Sequence, residues 1–368
     1  MRVGLDATPL LGTRTGIGRY VEHLARELAV LAAGDGGPRL VATAFSLRGL
    51  GGLPGAVPPG VPTRARPFPA NLLQRLWSRG DWPSVELLAG GVDVFHGTNF
   101  ILPPLRRARG VVTVHDLAYL RLPGVVDPVS LRLRDLVPRG LARAAVVVTP
   151  SQATADDVAQ AYGVPSDSLA VTPLGVEPSW LSTPAPDPGW LAAHGLPVDY
   201  LLAVGTLEPR KDLATLLRAV ALLPPDTPPL VLVGPPGWGP ALEVAGLPPG
   251  RVAAVGYLAQ DVLRQVVAGA TCLIFPSLLE GYGLPPLEAL AAGTPVVASD
   301  LAVTREVLGP HAVLAPAGDP EAFAAAISLV LAGGAPSTAA ERRAWAGERT
   351  WAACAAATLA AYRRACAA

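Results

Sequence analysis

Short runs of apolar residues alternate with amphipathic stretches along most of this chain. The short runs are nearly continuous in Val, Leu, Ile and Ala, as expected for strands that are buried on both faces of a parallel sheet. Between them, apolar residues recur every three or four positions, which is the spacing of a helix that buries one side. The alternation therefore predicts two tandem α/β domains, each with a parallel sheet and right-handed crossovers.

The predicted elements of the first half begin with a strand at 3–7 and a helix at 17–31. The apolar stripe of this helix consists of Ile17, Tyr20, Val21, Leu24, Leu28 and Leu31. Further strands are predicted at 40–45, 92–96, 111–115, 146–150 and 170–172, and further helices at 131–144 and 153–162. Loops are predicted at 8–16 and at 46–69, the second because glycine and proline are frequent there.

The second half repeats the alternation. Strands are predicted at 200–205, 230–234, 252–256, 271–275 and 295–299, and helices at 212–223, 261–268 and 320–331, with a short helix near Arg305. The proline-rich stretch 177–197 lacks periodicity and predicts a linker, and 338–366 is alanine-rich and predicts helix. We expect a first domain at 1–176, the linker at 177–197, a second domain at 198–349 and a terminal helix at 350–368.

The stretch 276–293, PSLLEGYGLPPLEALAAG, follows the buried strand predicted at 271–275 and combines a glycine-rich turn with a helix start. Gly281 and Gly283 mark the turn, and the pair at 285–286 fits a helix start because proline lacks only a donor that the first turn does not use. Gly293 is the predicted C-cap. This arrangement predicts Glu280 in the loop and Glu288 in the first turn of the helix.

Such a strand–loop–helix unit can bind phosphate, because the first turn offers open backbone N–H groups and the positive end of the helix dipole. Glu280 and Glu288 could accept hydrogen bonds from hydroxyl groups on either side of that phosphate. The alternative is an ordinary βα turn with an acidic first turn.

A second candidate site follows the predicted strand at 200–205, where Arg210 and Lys211 stand before a helix. Lys211 is the only lysine of the chain, beside 28 arginines. Since arginine could supply a charge at almost any position, the choice of lysine indicates that a compact ammonium is needed there. The alternative is a charge pair at a helix N-terminus, with Asp212 as its N-cap.

Two histidines and two glycines mark the first half. His96 and His115 end predicted strands, where open α/β sheets collect their ligands, but a histidine in such a place can equally be a hydrogen-bonded structural group. Gly16 and Gly18 precede a helix and either allow a ligand close to the backbone or only permit a tight turn. A dinucleotide fingerprint is excluded, because its third glycine is missing.

The segment PSLLEGYGLPPLEALAAGTPVVAS, with its E-x7-E spacing from Glu280 to Glu288, resembles the signature of retaining, nucleotide-sugar-dependent glycosyltransferases of family 4 with the GT-B fold. This large family includes bacterial mannosyl- and glucosyltransferases of polysaccharide assembly. The segments GIGRYVEHLAREL, TVHDLAYLRLPG, TLEPRKDLATLLRAV and RTWAACAAATLAAYRRA are similar to other parts of the family pattern. The resemblance implies two Rossmann-like domains that face each other across a cleft, with the C-terminal helix crossing back to the first domain.

The resemblance also implies roles for individual residues. It places His115 opposite the transferred sugar, with Asp116 either orienting it or capping the next turn, and ranks His96 lower. It assigns Arg210 and Lys211 to the diphosphate, Glu288 to the ribose and Glu280 to the sugar hydroxyls. The catalytic group is therefore expected to be His115, Arg210, Lys211 and Glu280. The implied donor-binding residues are Gly16, Gly18, Gly205, Arg210, Lys211, Gly256, Tyr257, Leu258, Glu280, Gly281, Tyr282, Gly283, Leu284 and Glu288.

The implied reaction is transfer of a hexose, of mannose or glucose type, from UDP, GDP or ADP to a hydroxyl acceptor, which can be lipid-linked. No cofactor is expected, because the chain has no Asp-x-Asp pair for a divalent cation and its single lysine is in the wrong motif for pyridoxal phosphate. A nucleotide-sugar epimerase or hydrolase of the same fold and a non-catalytic sugar-binding subunit are the alternatives. A glycosidase fits less well. In glycosidases the two catalytic carboxylates flank the glycosidic bond from separate elements, whereas Glu280 and Glu288 lie on one loop and the helix that follows it.

Charge and cysteine content limit the possible partners and the cellular location of the protein. A formal net charge of zero argues against nucleic-acid binding. Three cysteines at irregular spacing and a charged N-terminal strand predict a cytoplasmic protein without disulfides or signal peptide. Basic side chains gather in the first half, either as solvated faces or as a peripheral contact with anionic lipid of the inner membrane face. They are Arg64, Arg66, Arg106, Arg107, Arg109, Arg132, Arg134, Arg139 and Arg143.

Overall fold

The structure is a computed structural model that describes residues 1–12, 16–34, 36–47, 49–239 and 246–367. The chain forms two compact units. The first unit contains Met1–Arg121, Pro128–Gly175 and the chain from Thr350 onward, and the second contains Leu122–Asp127 and Val176–Arg349. No helix among the described residues is both long and apolar enough to cross a bilayer.

The first unit is built on a seven-stranded sheet in the order β3-β2-β1-β4-β5-β6-β7, and all its neighbouring strands are parallel. The strands are β1 Arg2–Asp6, β2 Arg39–Ser46, β3 Thr63–Pro67, β4 Val94–Gly97, β5 Arg109–Thr113, β6 Ala144–Thr149 and β7 Leu169–Val171. The strand order reverses between β1 and β4. In open α/β sheets ligands bind outside the carboxyl ends of the strands at such a point.

Helices cover the sheet of the first unit. They are α1 Gly16–Ala32, α2 Leu53–Ala56, α3 Ala70–Trp77, α4 Val85–Ala89, α5 Ala118–Arg121, α6 Leu133–Leu141, α7 Gln152–Tyr162 and, at the end of the chain, α16 Trp351–Ala367. The terminal helix α16 packs on α1 and on strands β4 to β7, and the rings of His23 and Trp351 stack at 4.6 Å. The C-terminal helix is thus part of the first unit, as the sequence predicts.

His96 is a structural residue of this unit. It is fully buried, its Nδ1 lies 2.7 Å from Tyr362 Oη of α16, and its Nε2 lies 2.7 Å from Thr113 Oγ1 of β5. Thr113 Oγ1 also lies 3.0 Å from Tyr20 Oη of α1. Burial lowers the pKa of His96 to about 3, so the ring is neutral at pH 7. His96 thus links the sheet directly to α16 and, through Thr113, to α1.

The second unit has a six-stranded parallel sheet in the order β10-β9-β8-β11-β12-β13. Its strands are β8 Leu201–Val204, β9 Leu230–Val233, β10 Val252–Gly256, β11 Cys272–Phe275, β12 Val296–Ser299 and β13 Val313–Ala315. Counted within the unit, this is the order 3-2-1-4-5-6 of dinucleotide-binding folds, which reverses between β8 and β11.

Eight helices of the second unit lie in the described part of the chain: α8 Pro178–Ser182, α9 Pro188–Ala193, α10 Leu213–Leu222, α11 Gln260–Gly269, α12 Leu284–Ala292, α13 Ala302–Leu308, α14 Pro320–Leu331 and α15 Ala339–Gly347. Helices α10 and α14 pack together against β8, β9, β11 and β12, with Leu216, Phe323 and Ile327 fully buried. The alternation of buried strands and amphipathic helices that the sequence predicts is confirmed in both units.

Several predicted elements are wrong in detail. Residues 46–69 were expected to be a loop but contain α2 and β3. Strand β3 is an edge strand with largely exposed side chains, so it lacks the apolar run of the other strands. The short strand β13 carries too few residues to stand out by pattern. The helix expected at 131–144 is the 3-10 turn Ser130–Arg132 followed by α6, and β6 begins at Ala144.

The proline-rich stretch 177–197 forms two short helices, α8 and α9. Each has a proline at its first position, where the missing N–H costs nothing. Trp180 of α8 is fully buried, and α8 packs on α12 and α15. The helix expected at 338–366 is divided into α15 and α16, with the boundary between the two units at Thr350.

Candidate functional site

The strand–turn–helix unit predicted at 271–293 is present. Strand β11 leads through Gly281 into Gly283, which has φ of 97° and forms the N-cap of α12. This left-handed conformation favours glycine. The helix begins at Leu284, one residue before the predicted position, and Gly293 closes it as the predicted C-cap with φ of 83°.

Glu288 corrects the sequence analysis. Because α12 begins at Leu284, Glu288 lies in the second turn and not in the first. The side chain is buried, with 3% of the residue exposed. Glu288 is the one acidic residue of a helix that is otherwise apolar and buried on nearly all sides.

The C-terminal end of α12 is held by two arginines of α15. Arg342 Nε and Nη2 donate to the Gly293 carbonyl oxygen at 2.9 and 2.8 Å, and Arg343 Nη2 donates to the Ala292 carbonyl oxygen at 2.9 Å. Carbonyls at a helix end have no partner inside the helix, and cations there also oppose the negative end of the dipole. These contacts fix α12 and so the turn that precedes it.

Arg210 and Lys211 form a 3-10 turn, Pro209–Lys211, between β8 and α10. Asp212 follows with φ of 47°, and its Oδ1 accepts from the Thr215 N–H at 3.4 Å, so it is the N-cap of α10. The backbone joins this turn to the loop after β11, because the Leu278 N–H donates to the Arg210 carbonyl oxygen at 2.9 Å.

The structure brings Arg210, Lys211 and Glu280 into direct contact. Lys211 Nζ donates to Glu280 Oε1 at 2.6 Å, and Arg210 Nη1 lies 3.0 Å from Glu280 Oε2. From the sequence we expected separate ligands for the cations and for the carboxylate. Instead the loops after β8 and β11 place them together, because these strands are neighbours at the point where the strand order reverses.

Glu280 is charged at neutral pH. Burial alone would raise the pKa of its carboxyl group, but the charges of Arg210 and Lys211 outweigh burial and lower that pKa to about 2. The side chains of Glu280, Lys211 and Arg210 are 9%, 14% and 17% exposed. Their attraction is therefore little screened by solvent.

Sequence reasoning missed Glu208, whose Oε1 accepts from Arg210 Nη2 at 2.7 Å. Arg210 Nη1 also donates to the Leu279 carbonyl oxygen at 2.8 Å. The position of Glu208, two residues before Arg210 in TLEPRKD, is the only sequence signal that could have indicated this contact.

Most of the other residues predicted for the donor lie at or just beyond the carboxyl ends of strands in the second unit. A Cβ atom on Gly205, which follows β8, would lie 3.4 Å from Lys211 Cε, so the small residue leaves the lysine side chain close to the backbone. Gly256 ends β10, and Tyr257 after it is 58% exposed. Leu258 is partly exposed, and Tyr282 is buried.

His115 lies in the first unit, two residues beyond the end of β5 and not within the strand as predicted. Its Nε2 donates to the Thr98 carbonyl oxygen at 2.8 Å. The rings of Tyr20 and Phe100 contact it edge-on, with centroid distances of 5.1 and 5.3 Å. Asp116 Oδ1 accepts from the Ala118 N–H at 2.9 Å, so Asp116 caps the following turn.

Backbone strain marks both regions. Phe100, which touches His115, has φ of 62°, and Asp212, which follows Lys211, has φ of 47°. Among the residues that the structure describes, these are the two that are not glycine and have positive φ. A bulky residue rarely adopts this conformation, and such strain is often found at functional sites.

Gly16 and Gly18 lie in the first turn of α1, Gly16 exposed and Gly18 buried. The loop expected at 8–16 contains the 3-10 turn Thr8–Leu10. Positions 13–15 of that loop lie outside the described residues. Within the described ranges, no group of three or more His, Cys, Asp or Glu residues could hold a metal ion.

Two family profiles match separate parts of this chain. The profile described as Glycosyltransferase Family 4 matches residues 14–180, and the one described as Glycosyl transferases group 1 matches residues 198–333. The chain belongs to the family 4 glycosyltransferases. The O-antigen chain mannosyltransferase B of Escherichia coli is 32% identical over 244 residues, which cover 64% of this chain and 64% of that protein.

Solved structures show the fold of this family 4 glycosyltransferase. Sucrose-phosphate synthase from Thermosynechococcus elongatus matches with a TM-score of 0.73 and 19% identity, over 99% of this chain and 98% of that chain. HepE from Anabaena in complex with UDP-glucose matches with a TM-score of 0.71 and 20% identity, over 98% and 99%. With the two parallel sheets described above, these likenesses confirm the predicted GT-B fold.

We expect His115 to be a neutral imidazole with its proton on Nε2 at pH 7. Burial lowers the pKa of His115, although the Thr98 carbonyl and the charge of Asp116 act in the opposite direction. The bond to the Thr98 carbonyl oxygen requires a donor at Nε2, which leaves Nδ1 as the acceptor. Two-bond ¹H–¹⁵N NMR spectra, assigned with the His115→Gln variant, would show this tautomer. An imidazolium or a proton on Nδ1 would contradict the geometry.

Proposed function

We propose that this chain transfers a hexose from a nucleoside diphosphate sugar to a hydroxyl acceptor, with retention of anomeric configuration and without a metal ion. The observation that carries the proposal is the contact of Lys211 and Arg210 with Glu280 at the point where the second sheet reverses its strand order. Two cations and a carboxylate on one edge fit a ligand that combines diphosphate with sugar hydroxyls. The turn before α12 adds backbone N–H groups of Gly283 and Leu284.

The cations stabilise the leaving group. When the bond between the sugar and the diphosphate breaks, negative charge develops on the diphosphate oxygens. Lys211 and Arg210 are held by the fold near the N-terminus of α12 and need no rearrangement at that moment. Glu280 and Glu288 remain for the sugar and ribose hydroxyls, and the exposed ring of Tyr257 is available for the base.

On the acceptor side, we propose His115 as the group that faces the transferred sugar. A neutral imidazole fits this role, because its Nδ1 can accept a hydrogen bond while Nε2 is fixed by Thr98. No protein nucleophile is assigned, since the family pattern implies none. The E. coli relative is named for O-antigen chains, and we propose a growing polysaccharide, which can be lipid-linked, as the acceptor.

Lys211→Met should lower turnover by about 10²–10³-fold, the typical effect of removing one charge-stabilising donor from an active site. Methionine keeps an unbranched apolar stem, so the loss reports the ammonium and not the packing. Release of nucleoside diphosphate from the matching sugar nucleotide would measure it. Arg305→Met, which removes an exposed cation of α13, is the matched control and should turn over normally. Equal activity of the Lys211 variant would refute the role.

We expect activity to persist after exhaustive chelation, because Arg210, Lys211 and the start of α12 supply the positive charge opposite the diphosphate. Turnover would be measured with EDTA, with EDTA followed by magnesium, and with EDTA followed by manganese. Equal rates in all three are predicted. Loss of activity that either ion restores would overturn metal independence.

We also propose a peripheral contact with anionic lipid, centred on Arg132. Arg134 donates to the Tyr119 carbonyl oxygen and Arg143 pairs with Asp81, so these two predicted arginines are engaged within the protein. Arg132 Nη1 donates to Asn71 Oδ1 at 3.0 Å. This bond joins two segments that carry exposed apolar residues, Leu72 and Val129, and exposed apolar groups beside a cation favour a membrane surface.

Sedimentation with vesicles of phosphatidylglycerol tests this contact. The wild type should sediment at low salt and be released at high salt, and Leu72→Glu with Val129→Glu should abolish sedimentation. Val30→Glu, which changes an exposed apolar residue of α1, is the control. Wild-type protein that stays in the supernatant at low salt would show that this surface faces solvent and does not bind anionic lipid.

A further inference from the structure

We propose that the Glu280 carboxylate takes the place of the donor diphosphate on Lys211 and Arg210 until a donor binds. In the empty enzyme Glu280 neutralises Lys211 and Arg210, and the donor displaces it so that its carboxylate binds the sugar hydroxyls. The exchange lets the site favour the intact sugar nucleotide over the nucleoside diphosphate that remains after transfer. This inference rests on the proposed function and adds a mechanism of product release to it.

The geometry of the carboxylate matches that of the ligand it would replace. Its two oxygens are divided between the two cations, Oε1 on Lys211 Nζ at 2.6 Å and Oε2 on Arg210 Nη1 at 3.0 Å. Phosphate oxygens are bound by the same groups in the same manner. A diphosphate and the Glu280 carboxylate therefore compete for the same donors.

The two cations differ in how firmly they are held. Besides Glu280, Arg210 donates to Glu208 Oε1 and to the Leu279 carbonyl oxygen, so its guanidinium is fixed on two further sides. Lys211 is in contact with Glu280 and has its ammonium 4.9 Å from the centre of the Phe275 ring. Exchange of Glu280 for phosphate can thus take place at Lys211 while Arg210 keeps its position.

The consequence differs for donor and product. With a sugar nucleotide bound, Glu280 gives up Lys211 but gains hydroxyl donors of the sugar. With a bare nucleoside diphosphate, Glu280 has lost Lys211 to phosphate and gains no sugar hydroxyl in return, although it is largely buried. A buried carboxylate that has lost one of its two cations is less stable, and the phosphate charge adds repulsion. Glu280 therefore weakens binding of the product more than binding of the donor.

Isothermal titration with UDP, GDP and ADP, and with a matching UDP-, GDP- or ADP-hexose, tests this inference on wild type and Glu280→Gln. Glutamine keeps the shape but cannot neutralise the cations. We expect the variant to bind the nucleoside diphosphate at least about tenfold more tightly than wild type, which corresponds to about 1.4 kcal/mol. Affinity for the hexose donor should rise less or fall, since one sugar contact is weakened.

Three further variants test this interpretation. Glu321→Gln removes the same charge from the first turn of α14 and should change neither affinity, which excludes an effect of net charge. In a Lys211→Met background the effect of Glu280→Gln should shrink, because the cation for which carboxylate and phosphate compete is gone. Glu280→Asp, whose shorter side chain cannot reach both cations equally, should tighten product binding to an intermediate degree and serves if the glutamine variant does not fold.

The outcomes separate this inference from the proposed function. Unchanged or weaker binding of the nucleoside diphosphate to Glu280→Gln and Glu280→Asp, with normal binding to wild type, overturns the exchange and leaves the transferase proposal intact. An equal gain for product and donor also overturns it, because the discrimination would be absent. Failure of wild type to bind any of the three nucleotides or their sugars would overturn the proposed function itself.

Discussion

Ion pairs of Glu280 with Lys211 and Arg210 join the loops that follow two neighbouring strands, and the donor site that we propose in the second unit depends on this contact. Because the three charges are largely buried, their attraction is strong. It also falls with distance, so it requires that the two loops keep their positions. The backbone bond between Leu278 and Arg210 and the left-handed turn at Asp212 hold that position. The strand order fixes it, because the reversal between β8 and β11 brings both loops to one place.

The packing of α12 supports the same edge from behind. This helix is apolar on nearly all sides and is enclosed by α8, α11, α13 and α15. Arg342 and Arg343 bind its last carbonyls, and Gly283 allows the sharp turn at its start. A cradle of backbone N–H groups requires such a rigid base, since donors that move lose much of their value for a developing charge. We therefore propose that this buried helix supports the donor site as well as the core.

Much of the fold could be predicted from the sequence, because buried parallel strands and amphipathic helices leave clear periods. Edge strand β3 could not be predicted because it carries no continuous apolar run, and β13 could not because its apolar run is only three residues long. Two separate motifs drew attention to Glu280 and to Lys211. Their contact joins residues 69 positions apart and depends on the strand order, which no local pattern encodes. The same limit applies to His96 and His115. Both end strands in the sequence, and only tertiary contacts show that His96 is bound on both ring nitrogens to Thr113 and Tyr362.

The most direct measurement is NMR of the product that the purified protein forms from α-linked UDP-, GDP- or ADP-hexoses and a polysaccharide or lipid-linked acceptor. The account predicts that one of these donors is consumed, that its nucleoside diphosphate is released, and that the anomeric proton of the product shows an α linkage. A β-linked product would contradict retention. Consumption of none of the donors under conditions in which the protein is folded would contradict the central claim.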